Sequence, residues 1–276
     1  MLENTNNRNT STSTCPLCAH PARSYLTLPH TGVQLCTNAS CELMFAFPQL
    51  SPEQLDAAYR RFYYPASHGE PAPYENTPEE ILRHTFAEAT SMFGLLEGKT
   101  LLDFGCGVGG LCGIAREYGL KTTGIEPDPF ARQRAKDDGS LKVYASVDEL
   151  RAANPEPVFD IITMWDVIEH LREPWKELTQ LSSLLRPGGR LLLSTPNAGS
   201  LRARLQRQRW ENIVNPTHFY YFTQRSLRLA LKRGGISDIT EWRFPIPYPG
   251  HSRLRRLVHR ALLTLHLQGQ FLVLAR

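Results

Sequence analysis

Apolar positions along the chain fall into alternating periods. From residue 99 onward, short apolar runs ("TLLDFG", "TTGIEP", "KVYA", "FDIITMWD", "GRLLLSTP") read as strands. Between them, apolar residues recur every three or four positions near 109–118, 128–138, 147–152 and 174–185, which predicts helices. A helix near 224–233 and strands "ITEWRF" and "GQFLVLAR" follow. Strands and helices alternating at these lengths predict an α/β fold, with a mostly parallel sheet covered on both faces. Upstream, a helix near 78–96 lines up Leu82, Thr85, Phe86, Ala89, Met92, Phe93 and Leu96. "SPEQLDAAYRRFYY" starts another: Ser51 can cap it, Pro52 suits the first helical position, and Glu53 favours the N-terminus. Residues 65–78, with four prolines and a glycine, read as a linker or lid between the two helices.

Composition narrows the class. The 276 residues suffice for one α/β domain with additions. A hydrophobic content of 41% is ordinary for a globular protein, and no apolar run reaches membrane-spanning length. Residues 1–14 are polar and lack the apolar stretch of a secretory signal, so a disordered tail and a cytoplasmic location are expected. No internal repeat is present. The net charge of +4 is local: no Asp or Glu follows Glu241, whereas Arg243, Arg253, Arg255, Arg256, Arg260 and Arg276 do. This argues for one basic element rather than a general nucleic-acid binder.

Four of the six cysteines cluster as Cys15, Cys18, Cys36 and Cys41, in a segment too small to bury its own core. Pairs spaced C-x2-C and C-x4-C, about twenty residues apart, suggest two knuckles joined by a hairpin and holding structural zinc. Residues 15–50 are assigned to this module and 51–77 to the helix and linker. Four thiolates leave no open coordination position, which argues against catalytic zinc. Free thiols are the alternative.

The stretch "LLDFGCGVGG" turns a strand sharply into a helix. Gly105, Gly107 and Gly110 fit a dinucleotide fingerprint. Gly105, Gly107 and Gly109, preceded by Asp103, fit a loop that holds S-adenosylmethionine. Charge separates the readings: a carboxylate beside an anionic pyrophosphate is repelled by about 4 kcal/mol at 4 Å in a surface-like dielectric. It attracts a sulfonium and an ammonium instead. Capping of the turn is the plainer role for Asp103. Glu126 ends the next strand, where a carboxylate can accept from ribose hydroxyls in either case.

Together, "LLDFGCGVGGLCGIAREYGLKTTGIEPDPFARQRAK" and "FDIITMWDVIEHLREPWKELTQLSSLLRPGGRLLLSTPN" resemble class I S-adenosylmethionine-dependent methyltransferases, over roughly residues 78–244 and the closing strand. The N-terminal piece, running into "CELMFAFPQLSPEQLDAAYRRFYY", resembles a zinc-binding module preceding such domains in one bacterial group, with a wider second cysteine spacing. The resemblance implies a Rossmann-like, seven-stranded sheet ending in an antiparallel hairpin, within a domain at 78–276. It implies that Asp103, Gly105, Gly107 and Gly109 surround the methionine moiety and Glu126 the ribose. Pro127 or Asp128 would lie near adenine, and Asp148 would be the acid following the third strand. Trp165 and Asp166 would face the cofactor.

Two histidines are candidates for deprotonating an acceptor. His218 lies in "NPTHFYYFTQRSL", similar to a segment bordering the acceptor pocket of ubiquinone-pathway and sugar methyltransferases; a histidine that orients its loop is the alternative. His170 belongs to a D-x-x-E-H pattern with Asp166 and Glu169. In ubiquinone-pathway relatives a similar stretch is associated with a divalent metal, so Mg²⁺ is one expectation and turn capping the other. Tyr63, Tyr64 and Tyr74 are lid candidates, and Tyr220, Tyr221 and Phe222 an opposite wall or core. Residues 252–266 read as a basic amphipathic helix that packs on the domain or on a second copy, or meets an anionic acceptor or membrane surface. The reading is a methyltransferase acting on an oxygen or carbon of a small molecule, such as a sugar precursor, a quinone-like ring or a natural-product intermediate. The rivals are an NAD-dependent oxidoreductase and a zinc-module scaffold.

Overall fold

The computed structural model of the chain describes residues 13–62, 79–91, 93–137, 139, 141–243 and 269–276. The tail before residue 13, the linker with Tyr63, Tyr64 and Tyr74, and the basic stretch 252–266 lie outside the described residues. The chain opens with β1 (Ala22–Thr27), β2 (Gly32–Cys36), β3 (Met44–Phe47) and α1 (Pro52–Phe62). After α2 (Glu79–Thr90) come β4 (Thr100–Phe104), α3 (Gly110–Glu117), β5 (Lys121–Ile125), α4 (Pro129–Lys136), β6 (Lys142–Tyr144) and α5 (Val147–Ala153). Then follow β7 (Phe159–Trp165), a 3-10 turn (Ile168–His170), α6 (Pro174–Ser182) and β8 (Leu185–Pro196). Next are α7 (Leu201–Gln206), a second 3-10 turn (Arg207–Arg209), α8 (Glu211–Val214) and β9 (Tyr220–Tyr221). The chain ends with α9 (Gln224–Arg233), β10 (Ile239–Arg243) and β11 (Gln270–Ala275).

The main sheet has seven strands in the order β10-β11-β8-β7-β4-β5-β6. β8, β7, β4, β5 and β6 pair in parallel, while β11 runs antiparallel to both β8 and β10. This is the α/β sheet with a terminal antiparallel hairpin expected from the alternation and the resemblance. Strand order reverses between β4 and β7, so the crevice at their carboxyl ends is the favoured ligand position of such a sheet.

Alternating strand residues serve two faces. Leu101 and Ile161 pack with Phe86, Leu111, Ile114 and Ala115 from α2 and α3. Leu102 and Ile162 pack with Val147, Leu178 and Leu227 from α5, α6 and α9 on the other face. Each such buried aliphatic side chain contributes about 1.5–3 kcal/mol of burial energy, so a one-residue slip in β4 would cost several at once. Helix starts follow local chemistry. Asp128 accepts from the Ala131 amide to cap α4, Ser146 caps α5, and Thr223 and Ser226 form a reciprocal box at α9.

Two boundaries differ from the sequence reading. The helix read at 78–96 stops at Thr90, and Gly94 follows in a left-handed turn with φ +68°. β8 starts at Leu185 and absorbs the "RPGG" turn, pairing Phe159 with Leu185 through an irregular register.

A second sheet has the order β1-β2-β3-β9, all antiparallel. Its fourth strand comes from the segment after β8, with Met44 opposite Tyr221 and Phe45 opposite Tyr220. Tyr220, Tyr221 and Phe222 are almost wholly buried, so they are core residues. Phe45, Phe219 and Tyr220 share one cluster with Trp175 of α6 and Leu227 of α9. Among the described residues, no helix is long and apolar enough to cross a membrane.

Candidate active site

The glycine loop sits between β4 and α3 at the carboxyl edge of the sheet. Gly105 (φ +80°) lies against the tip of β7, where a Cβ would meet Val167 Cγ2 at 2.6 Å. Gly107 (φ +53°) differs: a Cβ there would meet nothing within 4 Å. The loop therefore presents open space over a backbone position that only glycine adopts without strain. Gly109 (φ +86°) is the N-cap of α3.

Two carboxylates floor this space. Asp103 is 2% exposed and accepts from Thr163 Oγ1 at 2.7 Å, with the Cys112 thiol at 3.9 Å from its other oxygen. Burial pushes its carboxyl up to about 6. Glu126 accepts from the Gly107 amide and the Asp128 amide, both at 2.9 Å. Burial raises its pKa also, against the two amides that favour the charged form. The Gly107 bond ties the acid directly to the loop. Pro127 is exposed beside it, and Arg132 donates to the carbonyls of Glu126 and Pro127 at 2.7 and 2.8 Å. The floor fits a cationic cofactor: two buried acids lie at a glycine cradle, and the bonds to their carboxylate oxygens come from backbone amides, a hydroxyl and a thiol, while Arg132 reaches the Glu126 carbonyl rather than its carboxylate.

At the tip of β7, Trp165 packs against Leu192 and Leu272. Asp166 takes a left-handed conformation (φ +52°), and its Oδ1 accepts from Ser194 Oγ at 2.8 Å and Gln270 Nε2 at 2.6 Å. Asp148 stands apart from these acids. It is exposed in the first turn of α5, where its charge helps raise the pKa of Glu177 on α6, after burial.

The D-x-x-E-H pattern separates in space. The described residues bring Glu169, His170 and His218 together, with one potential ligand atom of each within 4.8 Å of the others, and Asp166 is not part of that group. The reason is the 3-10 turn at Ile168–His170, which swings Glu169 inward to accept from Thr195 Oγ1 at 2.9 Å. Glu169 is 2% exposed, and burial followed by the charge of Asp166 raises its pKa well above the ordinary value.

Hydrogen bonding assigns both histidine tautomers. Asn215 Oδ1 accepts from the Thr217 amide and from Thr217 Oγ1, at 3.1 and 2.8 Å. The hydroxyl proton is thus used, and Thr217 Oγ1 and its carbonyl can only accept from His170 Nδ1, at 3.1 and 3.2 Å. The Asn215 amide nitrogen must then donate to His218 Nε2, at 3.1 Å, while His218 Nδ1 donates to the Asn212 carbonyl at 2.8 Å. Each ring is neutral with its proton on Nδ1. Burial lowers His218 to about 4, and burial followed by the neighbouring His218 lowers His170 well below the ordinary histidine value. The rings meet edge to face, with centroids 4.5 Å apart, and Tyr59 of α1 lies 6.1 Å from His170. His218 has both nitrogens engaged within its own loop, and His170 is fixed by Thr217 through Nδ1.

These features sit on a chain with recognisable relatives. A family described as a methyltransferase domain matches residues 79–241. The chain belongs to this methyltransferase family. A ubiquinone biosynthesis O-methyltransferase of Aeromonas salmonicida is 35% identical over 113 residues, covering 39% of this chain and 48% of that protein. The match spans about half the length of such relatives. The solved 1,6-didemethyltoxoflavin-N1-methyltransferase of Burkholderia thailandensis has a TM-score of 0.56 at 17% identity, over 92% of this chain and 99% of that one. An S-adenosylmethionine-dependent methyltransferase from Mesorhizobium loti gives 0.53 at 19%, over 70% and 97%. The shared fold is that of S-adenosylmethionine-dependent methyltransferases.

Away from the crevice, Cys15, Cys18, Cys36 and Cys41 converge, with their sulfurs all within 4.8 Å of one another. Cys15 Sγ lies 3.8 Å from Cys41 Sγ, and Cys18 Sγ 3.4 Å from Cys36 Sγ. A tetrahedron with Zn–S bonds of about 2.3 Å has sulfurs about 3.8 Å apart, so donor type and spacing both fit. Several site residues were absent from the sequence reading: Thr163, Thr195, Asn215 and Gln270. Thr163 had a signal, since it is the polar residue inside "FDIITMW", level with Asp103 across the β4–β7 pair.

Proposed function

We propose that the chain transfers a methyl group from S-adenosylmethionine to an oxygen of a small-molecule acceptor. The observation that carries this is the pair of buried acids, Asp103 and Glu126, beneath the open glycine cradle. A dinucleotide would set a pyrophosphate against them; a sulfonium with an α-ammonium group offsets their burial. When bound, S-adenosylmethionine supplies a methyl group already activated by its sulfonium leaving group. The protein then has to orient the two reactants, exclude water and accept a proton. Asp103 would hold the ammonium side and Glu126 the ribose hydroxyls. Glycines 105, 107 and 109 let the backbone come close.

The acceptor reading rests on the Glu169, His170 and His218 cluster, which closes the same edge of the sheet past the tip of β7. His170 would take the hydroxyl proton, with Thr217 fixing its ring through Nδ1. Depressed histidine pKa values keep the pair neutral, and thus able to accept, throughout the neutral range. His218 orients the loop and abuts the His170 ring. Relatives named as ubiquinone biosynthesis O-methyltransferases support an oxygen as the acceptor atom. The Cys15, Cys18, Cys36 and Cys41 set would hold one structural zinc, supplying cohesion that this small module lacks.

Calorimetric titration with S-adenosylhomocysteine tests the cofactor reading, with NADH and a Glu126→Ala variant as controls. Saturable binding is expected for S-adenosylhomocysteine, at least about tenfold weaker in the variant, and none for NADH. NADH binding without S-adenosylhomocysteine binding would overturn it.

A further inference from the structure

The cysteine module is wired by backbone into the histidine cluster. The Cys36 amide donates to the Leu43 carbonyl at 2.9 Å, which ties the end of β2 to the start of β3 just beyond Cys41. The Ala46 amide of β3 donates to the Phe219 carbonyl at 2.9 Å, and the Phe219 amide donates to the Glu169 carbonyl at 2.8 Å. Phe219 follows His218 directly, and Glu169 precedes His170. One ladder of peptide groups thus runs from the cysteine cluster to both histidines.

Local bonds supplement that ladder: the His218 amide donates to the Asn215 carbonyl at 3.2 Å and the Ala198 amide to the Phe222 carbonyl at 2.8 Å. β9 is two residues long and has β3 as its sheet neighbour. The preceding segment holds α7 of six residues and α8 of four, too short to persist on their own. Side chains clamp the module at three places. Arg233 Nη1 donates to the Pro16 and Leu17 carbonyls at 2.6 and 2.8 Å, beside the first cysteine pair, and stacks over Trp175 at 4.4 Å. Arg225 pairs with Glu42 at 2.5 Å, next to Cys41. Arg172 donates to the Leu50 carbonyl at 2.6 Å and stacks over Phe219 at 5.0 Å.

The cofactor half is held differently. Its loop and α3 pack into two clusters built from α2, α3, α4 and strand residues that contain no residue of the module, although Phe104 and Ile125 on the strands beneath the loop belong to the large core cluster that also includes Cys15, Cys36 and Cys41. Glu126 and Asp103 take their bonds from Gly107, Asp128 and Thr163.

We infer that the cysteine cluster is a positioning element of the acceptor site. Filled, it fixes β3; β3 fixes β9; and β9 sets the His170–His218 geometry, while the hydrogen bonds of the cofactor cradle come from its own loops and from β7. This rests on the methyltransferase reading and on zinc as the occupant.

The test uses the full chain with ¹⁵N-labelled imidazoles at neutral pH, zinc-loaded and after zinc is stripped by a chelator under reducing conditions. Both forms are titrated with S-adenosylhomocysteine. Loaded protein should show both rings as single Nδ1–H tautomers. Stripping should move both sets of imidazole signals toward the tautomer-averaged position, with the Kd for S-adenosylhomocysteine changed by less than about twofold. An Arg233→Ala variant, retaining one zinc per chain, should show the same displacement to a smaller extent, because it loosens the clamp without touching a cysteine. Imidazole signals that stay unchanged on stripping would overturn the inference, as would wild-type signals in the variant. Loss of cofactor binding on stripping, by about tenfold or more, would overturn it too, since the metal would then support the whole fold. If neither form binds S-adenosylhomocysteine, the cofactor reading fails, and the histidine signals still decide the coupling.

Discussion

Replacing Asp103 with Asn should make the cofactor-free protein more stable while destroying its cofactor site. Asp103 is buried, and its carboxyl is raised from an ordinary 3.8 to about 6 because burial outweighs the bonds from Thr163 and Cys112. That rise corresponds to about 3 kcal/mol favouring the neutral form in the fold. A group raised in this way contributes its stability in full below 3.8 and loses it as pH climbs through about 6. Above about 6, the charged side chain is therefore a cost to the empty protein. Asn keeps the oxygen facing Thr163 and carries no charge at any pH. Its amide nitrogen must face the Cys112 thiol, a poor acceptor, so a gain of about 1–3 kcal/mol is expected. At about 2–4 °C per kcal/mol for a chain of this size, Tm should rise by about 2–12 °C at pH 8. At pH 4 the difference should nearly vanish. In parallel, binding of S-adenosylhomocysteine at pH 8 should weaken by at least about tenfold, because a charged hydrogen bond and ion pair are lost. The assay is thermal unfolding of both proteins across this pH range, with calorimetric titration alongside. An Asn variant that is less stable at pH 8, or one whose gain is the same at pH 4 and pH 8, would refute the assignment of strain to this carboxyl.

Thr163→Val removes the 2.7 Å bond to Asp103 with little change of shape, so the acid should titrate above its present value of about 6. Cofactor affinity at pH 7 should then fall by about tenfold and recover at higher pH, as read by titration calorimetry at several pH values. Gly107→Ala meets no neighbouring atom yet sits at φ +53°, so it adds backbone strain of about 1 kcal/mol and fills the cradle. Cofactor affinity should drop much more than Tm does; the two measurements separate the effects. Stripping the metal should release one zinc per chain, measured by a chromogenic chelator, with a lowered Tm that added zinc restores.

The convergence of the candidate cofactor residues was legible because it is local. Asp103, Gly105, Gly107 and Gly109 lie in seven consecutive residues, and Glu126 ends the next strand, so strand-turn-helix punctuation brings them together. The two faces of the sheet were legible for the same reason: Leu101 and Leu102 are neighbours in sequence and face opposite cores. The site reading went astray where a turn decides direction. Spacing alone groups Asp166 with Glu169 and His170, but a left-handed residue followed by a 3-10 turn sends Asp166 to Ser194 and Gln270. Asp148 had the opposite difficulty. Its place after the third strand is generic, and the start of α5 at Val147, capped by Ser146, sets it as an exposed acid in the first helical turn.

The junction was illegible for a deeper reason. "THFYYF" is an apolar run with no polar alternation, which suits a strand, a buried loop or a pocket wall equally well. What makes Tyr220 and Tyr221 a strand is a partner at Met44 and Phe45, some 175 residues earlier in the chain. A pairing that distant costs loop-closure entropy that only the finished fold returns, so no window of sequence can announce it. The arginines that secure it follow the same logic. Arg225 and Arg233 lie on the solvent-facing side of an amphipathic α9 and read as ordinary surface charge. Their partners, Glu42 and the carbonyls of Pro16 and Leu17, exist as a surface only once four cysteines have drawn the module closed. The module and the acceptor loop are therefore mutually conditional. β9 has β3 as its sheet neighbour, and on the proposed coupling β3 takes its placement from β2 and from the cysteine cluster beside its start. A variant that breaks either should be felt first at His218, before the cofactor loop registers any change.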